Sequence, residues 1–520
     1  MKVTTRYQKD YDGGLNDTAS SLEIADNEAS LLRNWLIRTE GKLTRRPGLT
    51  QVGDDLTGAA TGAHAYLRSG GGKDFLVMDD DSLKYLNGST FAALDDGFTA
   101  GQSFAMETCP VNDKVYISNE DNTTHSWDRA ATTLNSCLTD LGNTKYQANI
   151  MRWHKNHMFF LNNLTVGSTI YANSIGWSAI NDPDTHDTTN DRAEIPGNGR
   201  VITAIDQGDV LVIFKERSIQ FLSGYGDASW QISSTTNNYA NLSEEVGCIA
   251  PRGACRVGNE VWFIDDEGQI RRIYQTDFDA FRKDIICTKI QGTLATVNKS
   301  QLPKALAWSN GDFVYFAFPT GSDSFNSLIC VFDLIASKRT GQEAWTTFTG
   351  ITPGLFVDYL PSATPVLYIV DNQSGKIFSH TGDDDDGVAI DARWDGKALD
   401  LGGRDRYKRL KIGNITADST SGDISVDFYA SVDGSTFANL GAIETMTTGS
   451  RLGPTGTFRL GPTGANTLGG SSQASLRYLY TNGGGSARAK LLTHSIRHNT
   501  AGESPIVNTF STSYRMWDVR

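Results

Sequence analysis

The sequence predicts an all-β protein: a β-propeller of about seven blades, with an extended N-terminal strap before it and a C-terminal β-sandwich after it. Three observations predict this. Short apolar runs recur at a nearly fixed spacing. Gly, Asn and Asp turns bound those runs, in a chain of 520 residues with 52 glycines and only 13 prolines. No apolar stripe of helical period lasts more than about three turns, so helix should be scarce.

The repeat is plainest across residues 208–273. Val210, Leu211, Val212, Ile213 and Phe214 form an apolar run too short for a buried helix. Lys215-Glu216-Arg217 turns the chain, and a return strand follows from Ser218 to Leu222. A second copy runs from Glu260 to Ile264, turns at Asp265 to Gly268 and returns to Ile273. Runs of about five β-branched and aromatic residues bounded by such turns read as strands, and adjacent pairs as hairpins.

The first 55 residues fit no blade. Asp12-Gly13-Gly14-Leu15-Asn16 is rich in turn formers, Asp26 is a candidate cap, and a strand ends at Pro47. Two readings stand: a strap lying on its own propeller, or an arm reaching a neighbouring subunit. In the second, Arg45 and Arg46 form a positive corner at an interface, paired with carboxylates across it.

The propeller is expected over residues 56–382. Its second strands start near Phe75, Val115, Met158, Val210, Val261, Val314 and Val366, at intervals of 40, 43, 52, 51, 53 and 52 residues. That is the length of a propeller blade. A single blade cannot bury both faces, and stacking blades around an axis does so. Trp262, Phe263, Val314, Tyr315, Val210 and Val212 are the expected core of these strands.

Four aspartates, Asp383 to Asp386, close the propeller. A calcium loop needs alternating ligands and a distal Glu, which are missing, so the run reads as a solvated linker. Residues 388–510 alternate polar and apolar without repeating and predict one sandwich. Residues 511–520 read as a short arm. LGPTG occurs twice within residues 449–470, a low-complexity loop.

Chemistry-bearing patterns are few. The balance of 47 Lys+Arg against 60 Asp+Glu gives −13, which argues against wrapping nucleic acid but not against a channel through which DNA slides. The start has no apolar h-region, which predicts no signal peptide, and no run approaches a membrane span. The six cysteines are scattered without a CxxC pair and read as reduced thiols of a protein made in a cytoplasm. His154 and His157 lie close but lack a third metal ligand. Ser431 to Phe437 resembles an Asp-box hairpin, which raises a glycan-cleaving alternative. A sialidase would also need clustered arginines, for which Arg200, Arg217, Arg252 and Arg256 are available. No catalytic, cofactor-binding or metal site is expected.

Several motifs, in order, resemble the β-propeller tail proteins of short-tailed bacteriophages. Gly13-Gly14-Leu15-Asn16, then Asp26-Asn27-Glu28, then Arg45-Arg46-Pro47-Gly48 resemble that family's opening. Trp177-Ser178 with Asp182-Pro183 resembles its WSA-x-x-DP loop. Lys215-Glu216-Arg217, Gly247 to Pro251, and the turn ending in Gly268 resemble its central blades. The LGPTG insert and the aspartate run depart from the pattern. The resemblance implies a structural virion protein: a homo-hexameric nozzle ring at the distal end of the tail. That ring would sit under an adaptor ring, with tail fibres or spikes as further partners. It would retain packaged DNA and guide its ejection, contacting DNA without sequence preference. The motifs are then structural, and no cofactor or membrane insertion comes with them. The rival reading is a glycan-binding or glycan-cleaving propeller serving as a receptor-binding tail component.

Overall fold

The computed structural model describes residues 3–37, 41–226, 229–233, 245–275, 281–403, 406–419, 424–445, 473–479, 481–482, 485–486 and 488–516. Its described strands form six self-contained four-stranded antiparallel sheets, two larger sheets and one two-stranded pair. Each predicted second strand is the second strand of a four-strand unit. Blade 1 spans Ala60–Leu67, Lys73–Asp79, Ser82–Asn87 and Thr90–Asp95. Blades 2 to 5 begin with the inner strands Ala105–Cys109, Ile150–His154, Val201–Gln207 and Ala254–Val257. Blade 7 contains Pro353–Tyr359, Val366–Asp371 and Ile377–Ser379. Its fourth strand comes from the other end of the chain: Thr50 and Gln51 pair with Ser379 and Phe378. That pairing ties the start of the repeat to its end, closing the ring.

Between blades 5 and 7 the even spacing misleads. The unit Leu306–Ser309, Phe313–Pro319, Asn326–Asp333 and Trp345–Phe348 holds the sixth place in the ring. It is not a separate blade, because its outer edge continues into a ten-stranded sheet, so six free-standing blades stand where about seven are expected. Glu28–Arg33 runs parallel to its last strand, with Arg33 opposite Thr347. Ala392–Gly396, Leu492–His498, Ile424–Val432 and Ala438–Thr445 follow in that order. An outer blade edge normally exposes unpaired backbone groups, and this one is covered by pairing.

The facing sheet contains Gln473–Leu479, Lys408–Ser419, Pro505–Met516, Leu43–Arg45 and Trp35–Leu36, with Thr4–Gln8 beside Pro505–Met516. The two sheets make the sandwich, and both chain ends build it. Residues 1–55 are therefore not a strap of their own: they supply five sandwich strands and one blade strand. Residues 511–516 are not a separate arm, because they continue the strand from Pro505. Residues 449–470 and 517–520 lie outside the described residues. The physical reason is edge satisfaction: strands too short to make their own core complete the edges of sheets made by the rest.

Burial follows the pleat. Trp262 is 3% exposed and lies against Phe316 and Phe332, between units five and six. One buried cluster runs from Trp262, Phe316 and Trp345 through Leu32 and Trp35 to Trp394, Phe428 and Phe510. Propeller and sandwich thus share a core. Helix is short, as expected. Leu334–Thr340 is capped by the Asp333 carboxylate, which accepts from the Ile335 and Ala336 amides. Among the described residues no helix is long and apolar enough to cross a membrane.

Candidate functional site

Two places gather charged side chains from distant parts of the chain: the junction of propeller and sandwich, and the central channel.

At the junction, Arg45 and Arg46 are 3% and 1% exposed. The Arg46 fork grips Asp385 with both ends, Nη1 to Oδ1 at 2.9 Å and Nη2 to Oδ2 at 2.6 Å. Its Nε donates to Asn34 Oδ1 at 3.0 Å, and Nη2 also reaches the Thr349 carbonyl at 3.1 Å. Arg45 donates to the Asp383 carbonyl and to Ser504 Oγ, and reaches the Thr500 carbonyl at 3.4 Å. Gly48 lets this corner close. A Cβ there would lie 1.9 Å from the Asp384 carbonyl oxygen, where no side chain fits. Both the interface reading of the arginines and the linker reading of Asp383 to Asp386 are overturned here. The corner pairs within its own subunit, and Asp383 and Asp385 are its partners, while Asp386 stays exposed and pairs with Lys376. A fixed arginine fork buried among apolar strands needs a carboxylate, and sequence distance hid this one.

The opening motifs fold onto each other nearby. Gly14 and Leu15 pair in parallel with Glu28 and Ala29, and the Gly13 amide donates to the Asn27 carbonyl. The Glu28 carboxylate takes Asn16 Nδ2 at 2.9 Å and Lys289 Nζ at 2.8 Å. Burial opposes its ionisation, yet hydrogen bonds from Lys289, the Ala25 amide and Asn16 hold its pKa below the usual carboxylate value. Asp26 stays at the surface and pairs with Arg6 and Lys397.

The other motif residues are turn and blade connectors. In blade 3, Ser178 Oγ accepts from the Met158 amide, Asp182 N donates to the Ala179 carbonyl, and Pro183 O meets the His186 ring. Trp177 is 5% exposed against Phe159. Lys215 Nζ ties down three carbonyls, of Ile195, Pro196 and Gly197. Glu216 pairs with Arg200, and Arg217 is exposed. A Cβ at Gly247 would lie 1.9 Å from the Lys215 carbonyl oxygen. Pro251 is exposed and directly precedes Arg252. Gly268 closes the Asp265 turn.

The channel was not singled out as a site from sequence. Side chains of the inner strands link neighbouring blades around it and form a polar belt. His64 Nε2 lies 2.7 Å from Thr108 Oγ1, joining blades 1 and 2. Glu107 lies 3.8 Å from Arg152 Nη1, joining blades 2 and 3. Arg152 Nε donates to the Ala204 carbonyl of blade 4 at 2.7 Å. Asp206 takes His154 Nδ1 at 2.5 Å and Arg256 Nη1 at 3.5 Å, reaching blade 5. Arg252 then crosses from blade 5 to blade 1, where its Nη2 donates to the Thr61 carbonyl at 2.8 Å. Burial, helped by Arg152, pushes the His64 pKa down to about 4. Burial pushes Glu107 up to about 7 against the pull of Arg152. The signal that could have found this belt is a charged or polar residue in each inner strand of blades 1 to 5. The strand pattern alone does not say which face of a strand meets the axis.

The candidate metal and sialidase residues do not converge. His154 turns to Asp206, while His157 Nδ1 faces the Ser178 carbonyl. Arg200 pairs at the surface, whereas Arg252 and Arg256 lie along the channel. A further pocket of about 840 Å³ lies between units five and six, lined in part by Glu260, Trp262, Arg272, Asp284 and Glu343.

No family model matches the chain, and no curated protein matches it. Solved propeller structures do. The N-terminal domain of Nup159 is 12% identical with a TM-score of 0.36, covering 68% of this chain and 98% of that one. The WD40 beta propeller domain of Doa1 is 10% identical with a TM-score of 0.37, covering 63% and 96%. PorZ, a surface component of the type-IX secretion system of Porphyromonas gingivalis, is 11% identical with a TM-score of 0.35, covering 80% and 53%. The likeness concerns the propeller fold alone.

Proposed function

We propose that this chain is a structural virion protein that forms the distal nozzle ring of a short phage tail, retaining packaged DNA and guiding its ejection. The observation that carries the reading is the fastening of the family-like motifs. Gly13 to Asn16, Asp26 to Glu28 and Arg45 to Gly48 join both chain ends, unit six and blade 7 into one body. Such a joint suits a part that must hold against pressurised DNA without local opening. Arg252 spans the propeller's own hole, so in this reading DNA passes along the axis of a homo-hexamer, between propellers. The net charge of −13 is compatible with weak phosphate contacts and mobile DNA. The adaptor ring above and packaged DNA within are the partners.

Negative-stain images of purified protein and of virions test it. A six-fold tapered ring at the tail tip is expected. Monomers that bind glycans would replace the reading with the rival one. That rival, a receptor-binding tail component, is favoured by the pocket between units five and six, where carboxylates, Arg272 and Trp262 line one opening.

A further inference from the structure

We propose that the central channel of the propeller holds a small multivalent oxyanion, of phosphate or carboxylate type, between Arg252, Arg152 and Thr61. The inference is independent of the tail reading.

Charge is the first reason. Arg252 is half-buried at the mouth where the inner strands begin. Among the described residues, no carboxylate lies within ion-pair distance of it, and its described side-chain bond goes to one neutral carbonyl. Arg152, close enough to repel it, works with burial to lower its pKa to about 10. Among the described residues, the only carboxylate in ion-pair range of Arg152 is Glu107, at a long 3.8 Å. Glu107 itself resists ionisation because it is enclosed. Asp206 is taken by His154 and Arg256 further along the channel. Asp358 lies near the far end of its strand, toward the opposite mouth. Two half-buried guanidiniums therefore share one counter-charge, held at a long distance. Uncompensated enclosed charge is costly, and an anion offsets it.

Donor chemistry is the second reason. A guanidinium presents its donors as a rigid fork suited to phosphate and carboxylate oxygens. Arg252 commits Nη2 to Thr61. Arg152 commits Nε and Nη1 to the Ala204 and Met151 carbonyls. Arg252 Nε and Nη1 and Arg152 Nη2 have no acceptor among the described residues. The Thr61 hydroxyl, on the residue that anchors Arg252, is buried and has no partner among them either. His64, neutral at physiological pH, adds no repulsion toward an anion and no second cation.

Isothermal titration of the full chain with inorganic phosphate at pH 8 tests this, in sodium chloride matched for ionic strength, with citrate as a parallel arm. Saturable binding of at least one of the two is expected, and which one binds assigns the oxyanion type. Arg252→Gln should weaken it by about tenfold or more. Arg217→Gln, an exposed arginine of blade 4, should leave it unchanged. Glu107→Gln removes the competing carboxylate and should tighten binding several-fold, which keeps the test decisive even if Arg252→Gln fails to fold. Saturable binding of neither anion overturns the proposal. So does Arg252→Gln binding as tightly as the parent, or Glu107→Gln binding no tighter.

Discussion

Arg46 at the junction, and Arg152 with Arg252 in the channel, are handled in opposite ways. At the junction Arg46 is buried, clamped by both oxygens of Asp385 and bonded to Asn34 and Thr349. In the channel Arg152 and Arg252 are half-buried, face each other's field and hold mostly neutral carbonyls. A buried ion pair with complete hydrogen bonding fixes one geometry and penalises any change to it. A partly satisfied belt around a hole tolerates exchange of its contents. The first arrangement fastens the molecule; the second leaves room for something to bind.

The comparison breaks most sharply at Arg46. Arg46→Ala should lower stability by about 3–5 kcal/mol, because Asp385 is left enclosed without its cation. Urea denaturation with Asp385→Ala and the double variant measures the coupling. Additive losses would show that the two residues do not act as a pair.

Opposite pH responses sharpen it next. His380 sits beside Arg46, and burial with that charge lowers its pKa to about 3. The unfolded chain binds this proton more readily, with an ordinary histidine value of about 6.5. Stability is thus whole above about pH 6.5 and is lost as pH falls toward 3. His380→Gln should recover on the order of 3 kcal/mol at pH 4, relative to its effect at pH 7, in melting curves. Curves that keep the parent's pH slope would assign the acid sensitivity to other groups.

Glu107 in the channel runs the other way. Its folded pKa of about 7 lies above the unfolded one. Its contribution is whole at low pH and is lost as pH rises through 7. Glu107→Gln should raise stability by on the order of 2 kcal/mol at pH 8 relative to its effect at pH 5. Equal effects at the two pH values would place the carboxylate in open solvent.

The smallest effect belongs to a control. Arg200 and Glu216 pair at 2.7 Å with Arg200 66% exposed. Arg200→Ala should cost less than about 1 kcal/mol, and 0.5 M salt should erase the difference. A larger loss, insensitive to salt, would mean that exposure is a poor guide to pair strength here.

Much of the propeller was legible from particular runs. Val210 to Phe214 and Glu260 to Ile264 read as second strands because a buried strand needs only a local apolar run and a turn on each side. That Gly48 and Gly247 are close backbone contacts, where no Cβ fits, only the structure shows. Less legible was anything that depends on partners far away in sequence. The Arg45-Arg46 corner read as an interface because its carboxylate lies 339 positions on, at Asp385. The polar belt was missed because His64, Glu107, Arg152 and Asp206 come from different repeats.

By itself, then, the sequence determined the all-β class, the repeat, the placing of the second strands and the scarcity of helix. Each follows from periodicity and turn chemistry within about fifty residues. Only the tertiary structure decided that Thr50 and Gln51 close blade 7, and that Glu28–Arg33 extends unit six into the sandwich. It also decided that Arg252 crosses the channel. Strand edges and buried charges are satisfied by whatever group the fold brings near. Neither hydrogen bonds nor Coulomb forces depend on how much chain separates the partners.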